Sequence, residues 1–159
     1  MINPFFTMKS GMIKSKSYQK ELISCINEKE IWSLIPARAG SVRVKNKNLS
    51  KINNHELIFY SLACSMQVNK INRTFVTTDS KIISRKVESF GAESPFKRSK
   101  KISSTLSNDY SYFQEFIEKI YKKEKKLPYL FIQLRPTTPF RNISIIELAI
   151  KKFISQFDK

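Results

Sequence analysis

Residues 31–49 read I-W-S-L-I-P-A-R-A-G-S-V-R-V-K-N-K-N-L. The apolar run from Ile31 to Ile35 reads as a strand, and Pro36 breaks it into a turn of small residues, Ala37-Arg38-Ala39-Gly40-Ser41. Small residues let backbone N–H groups approach a ligand closely, and Gly40 is free to take a positive φ. Arg38 adds a fork of donors suited to phosphate or carboxylate, and Arg43, Lys45 and Lys47 add charge nearby. The stretch is therefore a strand feeding a loop built for an anion. Neither G-x-x-x-x-G-K-[ST] nor G-x-G-x-x-G occurs in the chain, so a polyphosphate bound here is held by another kind of loop.

The rest of the chain narrows the options. Its 159 residues suit one domain with a real core, and an apolar content of 41% argues against disorder. The formal charge of +16, from 29 Lys and Arg against 13 Asp and Glu, suits polyanionic partners: nucleotides, acidic sugars or nucleic acid. Most lysines are scattered, however, so the functional reading is confined to the cluster from Arg38 to Lys47. Two cysteines make no disulfide framework, and a single histidine allows no zinc set. A reducing cytoplasm fits. No apolar run is long enough for a signal peptide or a membrane span.

Read in order, residues 1–17 lack periodicity, and Tyr18 to Lys29 carry Leu22, Ile23 and Ile26 at helical spacing, so 1–30 is expected to be an extension ahead of a domain over 31–159. A helix is expected over Glu56 to Val68, then a strand over Arg73 to Thr77. Asp79 or Ser80 caps the next helix, Lys81 to Phe90, with Ile82, Ile83 and Val87 inward and Gly91 closing it. A short strand, Ala92 to Phe96, precedes a basic loop. The helix Asn108 to Lys125 repeats Tyr110, Phe113, Ile117, Ile120 and Tyr121, the strand Tyr129 to Leu134 follows, and a helix over Ser144 to Phe157 ends the pattern. This alternation predicts an α/β fold: a three-layer, Rossmann-like, mainly parallel sheet with helices on both faces. Ligands bind such sheets at the carboxyl ends of the strands, which is where Arg38, Asp79 and Arg135 fall.

These residues resemble a known family. Pro36 to Ser41 with Lys47-Asn48 is similar to the signature P-A-R-x-G-S-K-x-x-x-x-K-N of the acylneuraminate cytidylyltransferases, the CMP-sialic acid synthetases and their legionaminic and pseudaminic relatives. Thr77-Thr78-Asp79, Phe90 to Glu93 with Pro95-Phe96 and Arg98, and Leu134 to Arg141 follow in the expected order. The chain departs from the signature at Val42, where the family has Lys; the adjacent Arg43 is a candidate substitute. The CMP-Kdo synthetases share part of the pattern, but Asn48 and the Leu134 to Arg141 block favour the nonulosonate branch. The L-R-P-T-T-P form looks more like the legionaminate type.

The resemblance implies a nucleotide-diphospho-sugar transferase type of fold and transfer of CMP from CTP to the anomeric hydroxyl of a nonulosonic acid, with pyrophosphate released, in the service of surface glycan or lipopolysaccharide assembly. It implies Arg38 and Lys47 as the catalytic cations, and Ala37, Gly40, Ser41, Arg43, Asn48 and Asp79 beside them as nucleotide-binding residues. Arg135, Thr137 and Arg141 stand where the acceptor sugar would bind. It implies Mg²⁺ as cofactor and a homodimer in the intact family. It also implies a later segment, with a dimerisation element and two metal-binding aspartates, to which nothing up to Lys159 corresponds; a truncated chain is therefore expected, and the metal ligands are unassigned. The competing readings are a remnant that binds CTP or a partner without turnover, and a basic nucleic-acid-binding domain. The latter lacks an RNP, zinc-finger or helix-turn-helix signature.

Overall fold

The structure is a computed structural model that describes residues 21, 24–40, 44, 46–99, 102 and 109–157. Its centre is a parallel sheet of three strands, β1 (Ile26–Pro36), β4 (Arg73–Thr77) and β5 (Leu127–Gln133), in the order β4-β1-β5. The strand read from Ile31 is longer than its apolar run. Ile26 pairs with Leu127 and Asn27 with Pro128, then the register shifts so that Ile31 meets Leu130. That irregularity hides the strand's first half from any alternation test. It also corrects the helix expected up to Lys29: Glu21 and Ser24 are helical, but the chain turns at Cys25 and residues 26–29 belong to β1. Three apolar residues at helical spacing weigh less than a strand pairing that buries Leu127.

Because β1 lies between its neighbours, both its faces must be covered. Trp32 and Leu34 point to one face, where helix α3 (Asp109–Glu124) lays Tyr112, Phe116, Ile117, Ile120 and Tyr121 against them. Ile31 and Ile35 point to the other. There, α1 (Leu57–Gln67), α2 (Lys81–Ser89) and α4 (Ile143–Phe157) supply Ile58 and Leu62, Ile83 and Val87, and Ile150. This is the expected three-layer architecture. Trp32, Phe75, Phe116 and Phe131 interlock with ring centroids 5.0–6.0 Å apart, and burying each such ring stabilises the fold by about 1.5–3 kcal/mol. Ser33 is buried on the opposite face, toward α1. Its hydroxyl meets Ser65 Oγ at 2.5 Å, which meets Thr74 Oγ1 at 2.7 Å, so the α1–sheet contact includes a satisfied hydroxyl chain.

Several local expectations change. Ile82 is 62% exposed, since only Ile83 and Val87 share the inward face of α2. On α3 the buried stripe includes Tyr112 and Phe116, while Phe113 is half-buried; the side chain of Tyr110 lies outside the described residues. The strand expected from Ala92 to Phe96 is reduced to one parallel bridge, Glu93 to Phe75. Between the anion loop and α1 the chain forms a small antiparallel hairpin, β2 (Lys51–Ile52) and β3 (His55–Glu56), turned by Asn53 and Asn54 at φ 46° and 66°. Asparagine tolerates that left-handed region, so the Asn-Asn pair marks the turn. Gly91, at φ 99°, closes α2 as expected.

Candidate functional site

The three parallel strands end on the same edge, and the chain leaves β1 by α1 on one face of the sheet and returns to β5 by α3 on the other. The carboxyl end of β1 is thus the crevice where an open α/β sheet binds ligands. Residues Ala37 to Gly40 occupy it.

That loop is held at three points. The N–H of Ala37 donates to the Thr77 carbonyl at 3.0 Å, and its methyl is fully buried against Ile58 and Leu62, so Ala37 contributes through smallness and belongs to the sheet. The N–H of Ala39 donates to Asp79 Oδ1 at 2.7 Å. The side-chain amide of Asn48 donates to the Arg38 carbonyl at 2.9 Å from an almost buried position. Asn48 sits in a 3₁₀ turn, Lys47–Leu49, that follows Asn46 at φ 54°. The Lys-Asn pair is therefore tied to the loop through its asparagine. Ser41 and Arg43, expected to bind nucleotide, lie outside the described residues, as does Lys45.

Two expectations resolve here. Of the two capping candidates, Ser80 caps α2, its hydroxyl accepting from Ile83 N at 3.3 Å, and Asp79 is released to fix the loop. Gly40 does not use a positive φ; a Cβ added to it would meet nothing within 4 Å. Its missing side chain leaves open space at the loop surface.

The structure adds one residue to this group. Arg98, quoted above only as part of a motif, is 5% exposed, and its backbone N–H donates to the Thr78 carbonyl at 2.8 Å, next to Asp79. Its guanidinium lies 4.8 Å over the Tyr112 ring and gives one bond from Nη2 to the Ile102 carbonyl, while Nε is buried with no hydrogen-bond partner. Burial pulls its pKa down, Tyr112, Asp79 and Glu115 pull against that, and Arg38 adds a lesser repulsion. A desolvated cation with an open donor beside a second arginine is a seat for an anion.

The sugar-side candidates form a separate group after β5. Arg135 and Thr137 are exposed on a turn closed by Thr138 N donating to the Arg135 carbonyl at 3.2 Å. Arg141 faces inward: it donates to Ser61 Oγ on α1 at 3.0 Å and to the Arg135 carbonyl, and burial lowers its pKa. It braces the turn. Beside it an open groove of about 510 Å³ runs between α1 and this segment, lined by Tyr60, Cys64, Gln67, Phe140 and Asn142. Among the described residues no three Asp, Glu, His or Cys side chains come together as a metal site. Asp79, the loop's carboxylate, already has one oxygen on Ala39. These residues do not by themselves make up a Mg²⁺ site.

The model of the family described as cytidylyltransferase matches residues 32–157. The chain belongs to the cytidylyltransferase family. This cytidylyltransferase chain is 28% identical over 124 residues to the N-acylneuraminate cytidylyltransferase of Escherichia coli O18:K1:H7, covering 78% of itself and 28% of that protein. It is 29% identical over 126 residues to the pseudaminic acid cytidylyltransferase of Campylobacter jejuni, covering 79% of itself and 54% of that protein. It is also 40% identical over 80 residues to the CMP-N,N'-diacetyllegionaminic acid synthase of Campylobacter jejuni, covering 50% of itself and 32% of that protein. The chain thus spans about half, or less, of the length of these relatives. Among solved structures, a CMP:2-keto-3-deoxy-manno-octonic acid synthetase complexed with CTP superposes with a TM-score of 0.63 at 20% identity, over 81% of this chain and 48% of that one. A cytidylyltransferase from Leptospira borgpetersenii gives a TM-score of 0.60 at 20% identity, over 82% of this chain and 51% of that one. At that identity the likeness speaks for the fold, which agrees with the parallel three-layer reading. No helix among the described residues is long and apolar enough to cross a membrane.

Proposed function

We propose that this chain carries the nucleotide-binding part of a CMP–nonulosonate synthetase, which transfers CMP from CTP to the anomeric hydroxyl of a sialic-, legionaminic- or pseudaminic-type acid. The observation that carries the reading is the Arg38-bearing loop at the end of β1, pinned by Asp79 and by Asn48, the neighbour of Lys47, with the buried Arg98 bonded to Thr78 next to Asp79. Nucleotidyl transfer asks a protein mainly for alignment and neutralisation of charge. Arg38 and Lys47 bind the triphosphate and offset the charge that builds on the departing pyrophosphate. The acceptor's hydroxyl oxygen forms the new bond to the α-phosphorus, the bond to pyrophosphate breaks, and the hydroxyl proton is lost to solvent. Arg135 and Thr137, exposed on the turn that Arg141 braces, are in keeping with recognition of the acid's carboxylate. Mg²⁺, the expected cofactor, would be held chiefly by the triphosphate that Arg38 and Lys47 bind, and would supply further neutralisation of charge there. The chain works in the cytoplasm, where CTP is made, and the complete enzyme is a homodimer.

Thermal unfolding with CTP, ATP or random DNA, each with and without Mg²⁺, tests this. A ligand that binds only the folded chain at a hundredfold excess over its Kd adds about 2.7 kcal/mol. A shift selective for CTP, followed by pyrophosphate release with candidate nine-carbon acids, is the expected outcome. A shift with DNA and none with CTP overturns it in favour of nucleic-acid binding.

A further inference from the structure

Arg98 is held next to Thr78 and Asp79, just after β4, by contacts from α3. Its own segment, Lys97 to Ser99, has no regular secondary structure and is tied down from α3. The Glu115 carboxylate accepts the Ser99 N–H with both oxygens, at 3.1 and 3.2 Å. Lys119, one turn further on, donates to the Lys97 carbonyl at 2.8 Å and pairs with Glu115 at 2.9 Å. Tyr112, one turn before Glu115 on the same helix face, offers its ring to the Arg98 guanidinium. The phenol is itself fixed, for Gln133 at the end of β5 donates to its hydroxyl. Burial pushes that hydroxyl up to about 12, so the ring stays neutral and the guanidinium keeps an uncharged, electron-rich face beneath it.

We infer that Tyr112 and Glu115 are positioning residues for nucleotide binding: Glu115 fixes the backbone that carries Arg98, and Tyr112 fixes the plane of its guanidinium toward the loop at the end of β1. Neither residue touches the ligand. The arrangement spans both faces of the problem, because α3 belongs to the opposite layer of the sheet from α1, which leads out of the phosphate loop. A helix that looks like core packing therefore sets one wall of the binding crevice. The inference rests on the nucleotide reading of the Arg38 loop.

The test is calorimetric titration of CTP into the full chain, well below its unfolding midpoint, with the midpoint itself measured for each variant. Tyr112→Phe keeps the ring and Glu115→Gln keeps an acceptor, so both hold CTP as the wild type does. Tyr112→Leu and Glu115→Leu each weaken CTP binding about tenfold. In an Arg98→Met background, where the contact is already gone, the same two substitutions change affinity by less than about twofold. Should Tyr112→Leu fail to fold, Glu115→Leu, which removes no buried ring, carries the test. A lower unfolding midpoint with unchanged CTP affinity would mean that the two residues are only structural, and the inference falls. Equal losses with and without Arg98 also overturn it. No CTP binding by the wild-type chain overturns the nucleotide reading itself, and this inference with it.

Discussion

The two ends of the parallel sheet treat arginine in opposite ways. At the amino end of β4, Arg73 gives paired hydrogen bonds to Glu93 at 2.6 and 2.7 Å and to Glu124 at 2.6 and 3.1 Å, and it lies over the Trp32 and Phe75 rings. Its charge is held more firmly than usual, chiefly by Glu93 and then Glu124. At the carboxyl end, Arg98 is more deeply buried, has no carboxylate within ion-pair distance among the described residues, and is pushed toward losing its proton. One arginine joins three pieces of the fold. The other is buried with no ion pair among the described residues, which leaves its charge poorly compensated.

Substitutions should separate the two. Arg98→Met is expected to weaken CTP binding about a hundredfold, since a charge-assisted contact is lost, while the unfolding midpoint of the free chain stays level or rises. A falling midpoint would show that Arg98 is structural. Arg73→Met is expected to do the reverse: it leaves Glu93 and Glu124 facing each other and costs about 2 kcal/mol of stability, reduced from the fully buried case because Glu93 is partly exposed, with CTP affinity unchanged. Denaturant unfolding measures the first quantity and titration the second.

Acid sharpens the contrast. The Arg73 hydrogen bond holds the Glu124 carboxyl below its ordinary value of 4.5. A depressed folded pKa contributes stability that is present above the ordinary value and is lost as pH falls through the folded one. The unfolding midpoint should therefore drop as pH is lowered below about 4.5, and drop less steeply in Arg73→Met. Asp79→Ala should cost about 1 kcal/mol by leaving the Ala39 N–H without its acceptor, whereas Asp79→Asn, which can still accept, should cost less. The smallest change is Gly40→Ala. Its methyl meets only open space, so stability should rise by about 0.5 kcal/mol. Any loss of CTP affinity in that variant would locate the ligand against Gly40.

The comparison also explains what could be read from the residues alone. The strand Arg73–Thr77, the helix after the hairpin and the loop at Pro36 carry strong local signals: β-branched and aromatic residues, a buried stripe and a small-residue turn. The start of β1 was hidden by its irregular pairing, and the hairpin by strands of two residues, too short for any period. Arg98 was hidden by composition, standing among lysines in a basic stretch. Nothing local distinguishes a buried arginine from a solvated one until α3 folds over it. Asp79 could equally cap a helix; only Ser80 taking that bond shows where its carboxylate goes.

β5 is the last strand on its side, and no strand among the described residues pairs with its outer edge. Such an edge is a template on which a second chain can extend the ladder. Two copies meeting there each bring a formal charge of +16. Their repulsion reaches only about one Debye length, roughly 8 Å at physiological ionic strength and less in concentrated salt. Added salt, which shortens the reach of that repulsion, is therefore expected to favour pairing at this edge.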